Sequence, residues 1–287
     1  MRTICFYHGI DFDGKCSAAI VNLQKTDCDF VPLDHGLVFP WSRLNGDSNV
    51  YMLDYTLKPF ADMLRLREFC GQGQFVWIEH HPVVKDIDSQ TDKLFVGKRD
   101  TSIAACELTW EYFFPDQPMP RAVRLLGEYD SWRFDKAGEA DALLFQYGLR
   151  QWEGDPQNRD FWRKMFAASD GEIGEIIKEG RYIYRYAEQR NKKFVKSGAF
   201  VVDLCGYRCL ALNIQYGNLH VFASAWDREK YDLMLAFAWR NNCWFITMYT
   251  DKPGVNVRAI AQRFGGDGHV SSAGFQCQEL PFSMGGA

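Results

Sequence analysis

The sequence predicts an α/β protein with an N-terminal parallel sheet, helices on both faces of that sheet, and a smaller C-terminal α+β domain. Up to about residue 150, short apolar runs alternate with stretches of helical spacing, and this alternation is typical of a parallel sheet covered on both faces. From about residue 198, short strands dominate, which indicates a second and largely β unit. Apolar residues make up 47% of the 287 residues, enough to form a core in each unit.

The first part of the chain opens with a predicted strand over residues 2–8, followed by a helix with the sequence GKCSAAIVNLQ. Pro59 marks the start of the next helix, because proline is favoured in the first helical turn. The further predicted strands have the sequences DFVPL, VYML, FVWI and KLFVG. The further predicted helices have the sequences PFADMLRLREFC, SIAACELTWEYFF and RAVRLLGEY.

The predicted domains are residues 1–150, a helical connector over 151–196, and residues 197–287. The connector begins with the polar sequence RQWEGDPQNRD and continues as a helical stretch with long charged side chains. The strands predicted in the last domain have the sequences AFVVDL, YRCLALN, LHVFASAW, LMLAFAW and CWFITMYT. A predicted helix, VNVRAIAQRF, then precedes the sequence GGDGH.

The net charge, the cysteines and the apolar stretches of the chain indicate which classes of protein it can belong to. The net charge of −4 argues against a protein that grips long nucleic acid, because such proteins usually present a basic surface. The nine cysteines are scattered without a CxxC pair, which is typical of small buried residues in a reducing compartment. Neither a signal peptide nor a stretch of ~20 apolar residues is recognisable. We therefore expect a soluble, cytoplasmic protein that does not bind a membrane.

Acids and histidines follow the predicted strands at the points where these strands end. They are His8, Asp11 and Asp13 after the first strand, Asp54 after VYML, and Glu79, His80 and His81 after FVWI. Ligands bind outside the carboxyl ends of the strands in open parallel sheets. We therefore expect these side chains to meet at one edge of the sheet.

Such a set of side chains points to bound metal. Carboxylates at short range oppose one another by several kcal/mol, and divalent cations remove that conflict. Imidazole and carboxylate ligands without a thiolate suit Mn²⁺, Zn²⁺, Co²⁺ or Fe²⁺, and the number of ligands fits two ions. Taken singly, each residue has an ordinary explanation, such as a turn or helix cap at Asp11 and Asp13. Their shared position at the strand ends favours the metal site.

The chain resembles the DHH phosphoesterases, which carry an N-terminal DHH domain and a C-terminal DHHA1 domain. Five sequence motifs, in the family's order and spanning residues 8–275, carry this resemblance: HGIDFDG, LDYT, EHHP, GEYDSW and FGGDGHVSSAGF. The third motif gives the family its name, and here Glu79 stands in place of the usual Asp. The EYDSW element and the chain length are similar to the bacterial nano-RNase, or oligoribonuclease-like, branch.

The resemblance implies two divalent metal ions, usually Mn²⁺. The implied ligands of the first ion are His8, Asp11 and Asp54. The implied ligands of the second ion are Asp13, Asp54, His80 and Asp130, with Asp54 bridging the two. Besides the bridging Asp54, His81 has an implied catalytic role: it faces the substrate phosphate and stabilises charge or protonates the leaving group. Glu79 supports the site without binding a metal.

The C-terminal glycine-histidine motif follows a predicted amphipathic helix from about Asn256 to Phe264. Its glycines free the backbone to turn N–H groups toward an anion, although a glycine cluster after a helix is by itself often a C-cap. The family's run of glycines is interrupted here by Asp267. The residues that we predict to bind the substrate are Lys252, Arg258, Gly265, Gly266, Gly268 and His269.

The function that these observations predict is a two-metal phosphoesterase that hydrolyses short nucleotides by means of a metal-activated hydroxide. The candidate substrates are nano-RNA oligonucleotides, 3′-phosphoadenosine 5′-phosphate and cyclic mono- or dinucleotides. Two alternatives stay open: an inorganic pyrophosphatase or exopolyphosphatase, and a non-catalytic nucleotide sensor of the same fold. A sensor should have lost metal ligands, whereas all the expected ligand positions are filled here. Homodimer formation is also left open.

Overall fold

The computed structural model describes residues 2–25, 27–34, 37–135, 139–215 and 219–282. The chain divides into two compact units, Met1–Ile183 and Tyr184–Ala287. The division falls inside one long helix, within the stretch 151–196 that the sequence predicts as a connector. Each unit contains one sheet.

The first unit is built on a four-stranded parallel sheet with the strand order β2-β1-β3-β4. Its strands are β1 (Thr3–His8), β2 (Asp29–Leu33), β3 (Asn49–Leu53) and β4 (Phe75–Ile78). Its helices are α1 (Phe12–Gln24), α2 (Ala61–Phe69), α3 (Ser89–Asp92), α4 (Ala105–Phe113), α5 (Arg121–Asp130), α6 (Asp141–Leu149), α7 (Arg159–Ala167) and α8 (Asp170–Gly198), the last of which continues into the second unit.

Both faces of this sheet are covered by helices, as the sequence predicts. The core on one face, against α2, contains Phe6, Met52, Trp77, Met63 and Leu66. The core on the other face, against α1 and α4, contains Tyr51, Ile78, Val21 and Leu108. Because successive side chains of a strand point to opposite faces, burial on both faces requires continuous apolar strands. This explains the runs VYML and FVWI.

One strand predicted in this unit is wrong. The sequence KLFVG forms an isolated bridge between Val96 and Val76 and no strand of its own. Gly97 has a φ of 118°, and a Cβ atom there would overlap the carbonyl oxygen of Trp77. Gly97 therefore interrupts the pairing locally, in a conformation that an extended strand does not use, and the chain continues alongside β4 as far as a second bridge between Arg99 and Glu79.

The second unit contains a six-stranded mixed sheet with the order β5-β6-β7-β8-β10-β9. Its strands are β5 (Phe200–Leu204), β6 (Tyr207–Asn213), β7 (Leu233–Arg240), β8 (Cys243–Tyr249), β9 (Asp267–His269) and β10 (Ser272–Cys277). Two helices, α9 (Leu219–Phe222) and α10 (Val257–Arg263), complete it. The predicted α+β domain is confirmed. Among the described helices of both units, none combines the length and apolar character needed to cross a membrane.

The predicted strand LHVFASAW is wrong, because Leu219–Phe222 is the short helix α9. Strands β6 and β7 pair in parallel, so the chain between them must return to the same end of the sheet instead of running as a further paired strand. Val221 and Phe222 are buried against the sheet in this crossover. Strands β9 and β10 were not predicted, since glycine and serine give them little β propensity.

Helices α6 and α8 pack closely through two glycines. A Cβ atom at Gly180 of α8 would overlap the carbonyl oxygen of Leu144 in α6. A Cβ atom at Gly148 of α6 would likewise overlap the carbonyl oxygen of Ile176 in α8. Gly174, earlier in α8, has open space around it. Glycine is therefore needed for helix packing at position 180 and is dispensable at position 174.

We predict that Gly180→Ala lowers the free energy of unfolding by about 1–3 kcal/mol, because the added methyl group forces α6 and α8 apart. The matched control in the same helix, Gly174→Ala, should instead raise it by about 0.5–1 kcal/mol, because alanine is the better helix former where there is space. Urea denaturation followed by circular dichroism measures both variants. Changes of the same sign would contradict this packing arrangement.

Candidate metal centre

The first side chains of the centre come from the junction of β1 and α1. His8 is the last residue of β1, and Asp11 is the N-cap of α1, where its carboxylate accepts the N–H of Gly14 at 3.1 Å. A Cβ atom at Gly14 would overlap the carbonyl oxygen of His8, so only glycine allows α1 to begin this close to the strand. As a result, Asp11 Oδ2 lies 2.7 Å from His8 Nδ1.

Asp13 is buried in the first turn of α1 and is held by α4. Its carboxylate oxygens accept the N–H groups of Ala105 at 3.0 Å and Cys106 at 2.7 Å, at the positive end of that helix. Burial raises the pKa of Asp13 well above its ordinary value, and the negative charges of Asp54 and Asp130 raise it further. The N-terminus of α4 thus fixes a carboxylate where its charged form is otherwise disfavoured.

Asp54 follows β3 and lies between the two histidines His8 and His80. Its φ of 55° is in the left-handed region, and its N–H donates to the carbonyl of Ile78 at 2.9 Å. Its Oδ2 lies 3.4 Å from His8 Nδ1, and its Oδ1 lies 3.3 Å from His80 Nε2. Oδ1 is buried and has no hydrogen-bond partner among the described residues. A buried carboxylate oxygen of this kind calls for a cation.

His80 follows β4 and connects Asp54 to two further carboxylates. Its Nε2 lies 3.5 Å from Asp13 Oδ2 and 3.2 Å from Asp130 Oδ2. His80 is 2% exposed, whereas the side chain of Asp130 is 26% exposed. The centre is therefore closed on the side of the sheet and open to solvent near the end of α5.

Asp130 is the last residue of α5, and α5 is positioned against α4. The buried Glu107 of α4 accepts the N–H of Ala104 at 3.0 Å and pairs with Arg133, just beyond Asp130. A Cβ atom at Gly127 of α5 would overlap the Glu107 carboxylate, so glycine allows the two helices to approach. The same helix that holds Asp13 thus also places Asp130.

Glu79 is buried and fully engaged in hydrogen bonds. Its Oε1 accepts the backbone N–H of His80 at 2.8 Å and of His81 at 3.0 Å, and lies 2.7 Å from His81 Nδ1. Its Oε2 accepts the hydroxyl of Thr56 at 2.7 Å. Burial by itself raises the pKa of Glu79, but His81, His80 and these hydrogen bonds lower it below its ordinary value. The extra methylene of Glu is thus accommodated by Thr56, and the carboxylate orients His81.

The centre has more carboxylate charge than its histidines balance. Burial lowers the pKa of His8 and of His80, yet the carboxylates around them outweigh burial and hold both pKa values well above the ordinary value. The ligand atoms form two groups, each with its atoms within 4.8 Å of one another: His8, Asp11 and Asp54, and Asp13, His80 and Asp130. This donor set fits a pair of divalent cations. Asp54, in the first group, also lies 3.3 Å from His80 of the second.

The structure brings together all six side chains predicted as metal ligands, and it places Glu79 and His81 beside them. Sequence reasoning missed the residues that position them. Gly14 and Thr56 lie inside the motifs HGIDFDG and LDYT, and their position in these motifs could have identified them. Glu107 and Arg133 carry no such signal, because they are 26 residues apart and meet only in the folded chain.

In the second unit, two of the residues predicted to bind the substrate are paired with acids. Arg258 Nε donates to Asp267 at 2.8 Å, and Lys252 Nζ donates to Asp232 at 2.7 Å. Asp267, which interrupts the glycine run, therefore has a structural partner in Arg258. These ion pairs reduce the positive charge that either cation can offer to a phosphate.

The three glycines that we predict to bind the substrate have two different structural roles. The N–H groups of Gly265 and Gly266 donate to the carbonyls of Gln262 and Ala261, at 3.1 Å and 2.9 Å, and so cap α10. Gly268 lies in β9, with a φ of 143°, beside His269, and a Cβ atom there would overlap the backbone of β10. Phosphate binding by this segment stays a prediction, and the C-cap explanation accounts for Gly265 and Gly266.

Comparison of the sequence with known proteins gives one curated relative and no family model that matches. Uncharacterized protein R106 of Acanthamoeba polyphaga mimivirus is 24% identical over an alignment of 302 residues, and this alignment covers 94% of the present chain. The chain spans 66% of the length of the viral protein, which is slightly less than two thirds.

Solved structures share the fold over nearly the whole chain. The DHH domain of a member of the s1p family of ribosomal proteins has a TM-score of 0.56 and 12% identity, covering 95% of this chain and 82% of that one. An exopolyphosphatase-related protein from Bacteroides fragilis has a TM-score of 0.51 and 13% identity, covering 97% and 87%. PggH from Vibrio cholerae, a pGpG-specific phosphodiesterase, has a TM-score of 0.50 and 13% identity, covering 96% and 93%.

We predict that manganese stabilises the chain and that Asp54→Asn removes this effect, because both ligand groups include or adjoin the Asp54 carboxylate. A cation that binds the folded state at 100 times its Kd adds about 2.7 kcal/mol per site. The measurement is thermal unfolding after treatment with EDTA, with and without added manganese. The exposed Asp116 gives the matched control Asp116→Asn, which should keep the full stabilisation. Equal stabilisation of both variants would contradict the assignment of the centre.

Proposed function

We propose that this chain, whose fold is that of the DHH phosphoesterases, is a metal-dependent hydrolase of phosphoester bonds in short nucleotides. The observation that carries the proposal is the Asp54 carboxylate, which reaches His8 with one oxygen and His80 with the other. Paired divalent ions act on phosphoryl groups, and when bound they lower the pKa of water and offset the charge that develops on the phosphoryl oxygens.

The protein residues of the centre supply fixed positions for the reacting groups. Asp11 is locked by the cap of α1, Asp13 by the N-terminus of α4, and Asp54 by the hydrogen bond of its N–H to Ile78. Groups held in this way need no reorganisation as charge develops in the transition state. His8 and His80 complete the two ligand groups. Asp130, at the open side, leaves room for a phosphate to approach.

We propose that His81 donates a proton to the leaving group. Because Nδ1 lies against the Glu79 carboxylate, the proton on Nδ1 is retained there, and Nε2 carries the exchangeable proton. Burial lowers the pKa of His81, but Glu79 outweighs it and raises the pKa above its ordinary value. This shift favours the charged imidazole, which is the form that acts as a general acid.

Short nucleotides are the substrates that we propose, for two reasons. The chain's net charge of −4 gives no overall basic field for a long polyanion, so the cations of the centre supply the charge that attracts a phosphate. One protein of similar fold, PggH, is described as specific for pGpG. Nano-RNA, 3′-phosphoadenosine 5′-phosphate and cyclic nucleotides are the members of this class to test. We propose further that Gly268 and His269 contact the substrate, as the resemblance implies.

An inorganic polyphosphate substrate is the second candidate, favoured by the fold shared with the exopolyphosphatase-related protein from Bacteroides fragilis. A nucleotide sensor is disfavoured, because all six ligand positions of the centre carry ligand side chains. Manganese as the physiological metal, the nano-RNase branch, homodimer formation and a cytoplasmic location stay predictions.

A substrate panel with manganese tests the proposal. The panel contains 5′-phosphorylated dinucleotides, 3′-phosphoadenosine 5′-phosphate, cyclic mono- and dinucleotides, pyrophosphate and polyphosphate, and product formation is followed by chromatography. We expect turnover of nucleotides by the wild type and by Asp116→Asn, and none by Asp54→Asn. Hydrolysis of the inorganic substrates alone would transfer the assignment to the second candidate. Full activity of Asp54→Asn would overturn the proposal.

We predict that the loss of activity in His81→Ala depends on the leaving group. With a nucleoside leaving group, which needs a proton, kcat should fall about 10²- to 10⁴-fold. With bis(p-nitrophenyl) phosphate, whose leaving group departs as a stable anion, the decrease should be much smaller. Steady-state kinetics with the two substrates measures the difference. An equal decrease for both substrates would show that His81 does not act as the proton donor.

A further inference from the structure

The part of α8 that belongs to the second unit carries a local excess of positive charge. The chain has a net charge of −4, yet residues 184–198 contain five basic residues and one acid. The basic residues are Arg185, Arg190, Lys192, Lys193 and Lys196, and the acid is Glu188. This segment is therefore an exception to the acidic character of the protein.

The charges are concentrated on the solvent side of the helix. Ala187, Asn191 and Val195, which are spaced by four residues, form the buried side of α8 in this segment. The opposite side contains Arg185, Tyr186, Gln189, Lys193 and Lys196, and all five of these side chains are exposed. We call these five residues the basic face of α8.

Glu188, the acid of this segment, does not offset all of this charge. Glu188 lies 3.9 Å from Lys192, at the flank of the helix. Lys193 and Lys196 form no ion pair within the part of the chain that the structure describes. Their ammonium groups are therefore available to an anionic partner, and the binding of several phosphates at once would release counterions.

Aromatic rings stand among the cations. Tyr186, in the basic face, is 69% exposed, and Phe194, eight residues further along α8, is 44% exposed. The guanidinium of Arg190 lies 5.7 Å from the centre of the Phe194 ring. Aromatic rings interleaved with cations are typical of surfaces that bind single strands, because unpaired bases stack on the rings while the phosphates contact the cations. A duplex hides the faces of its bases and cannot use Tyr186 in this way.

A lipid surface does not fit the same helix. A membrane-surface helix inserts an apolar side into the lipid, and here the apolar side is packed inside the protein. Val195 belongs to the core that covers the sheet of the second unit, together with Leu210 and Leu212.

We propose that the basic face of α8 binds single-stranded nucleic acid. The phosphates contact Lys193 and Lys196, and a base stacks on Tyr186. None of these residues belongs to the metal centre, so this binding goes beyond the proposed hydrolysis and does not depend on it.

The test is fluorescence anisotropy with a labelled single-stranded oligonucleotide of about 16 nucleotides. All measurements are made in EDTA, where a metal-dependent hydrolase is inactive. Failure to bind under these conditions would overturn the present proposal and would leave the proposed hydrolysis unaffected. Loss of hydrolysis, conversely, would not alter the binding result.

The double variant Lys193→Gln with Lys196→Gln should bind about tenfold more weakly or worse, because it loses two phosphate contacts. Between about 50 mM and about 200 mM salt, its slope of log affinity against log salt should be less steep by about 1.4. The matched control is Arg163→Gln with Lys164→Gln, which removes the same charge from the exposed surface of α7 and should bind like the wild type. An equal loss in the variant and the control would overturn the proposal.

The role of the Tyr186 ring and the chemical type of the partner are tested in separate experiments. Tyr186→Ala should weaken binding about fivefold or more, whereas Tyr186→Phe should retain it, because stacking needs the ring and not the hydroxyl. Polyglutamate and a duplex of the same length serve as competitors, and both should displace the oligonucleotide poorly. Displacement by polyglutamate as efficient as by unlabelled oligonucleotide would assign the face to acidic proteins and would overturn the proposal.

Discussion

The structure of the first unit depends on holding buried carboxylates together at one edge of a parallel sheet. Asp13 and Asp54 are both almost inaccessible to solvent, and Asp11 and Asp130 lie beside them. Burial raises the pKa of Asp13, and the negative charges of Asp54 and Asp130 raise it further. Attraction to the carboxylates raises the pKa values of His8 and His80. The protein counters the repulsion with fixed dipoles: the N–H of Gly14 at Asp11, and those of Ala105 and Cys106 at Asp13. The close approach of buried carboxylates is unfavourable in the chain without metal. The same close approach makes the centre well suited to bind cations.

Helix α4 organises this centre although it contributes no ligand of its own. Its N-terminus holds Asp13, and its Glu107 connects through Arg133 and Gly127 to the helix that carries Asp130. The positions of Asp13 and Asp130 therefore both depend on α4, and a shift of this helix would move the two carboxylates together. On the other side of the centre, Thr56 and Glu79 perform the corresponding task for His81. Supporting residues of this kind fix the orientation of metal ligands and catalytic groups.

The second unit shows how local charge can differ from overall charge. Two cations predicted to bind the substrate, Arg258 and Lys252, are paired with Asp267 and Asp232, which reduces the positive charge that they can offer. The solvent side of α8, by contrast, contains Lys193 and Lys196 without acidic partners in the described part of the chain. The net charge of −4 is therefore the sum over surfaces with different electrostatic character. The charge of each surface has to be judged from its own residues.

Much of the architecture was predictable from the amino-acid sequence, because it depends on local patterns. Continuous apolar runs marked β1, β3 and β4, and the acids and histidines that follow them necessarily share an edge once the strands pair in parallel. The tertiary structure alone decided the rest. The backbone conformation of Gly97 and the crossover at α9 depend on contacts with other elements, and Glu107 and Arg133 pair although they are 26 residues apart. Contacts of that kind arise between surfaces of packed helices and strands, and they leave no periodic pattern in the sequence from which they could be inferred.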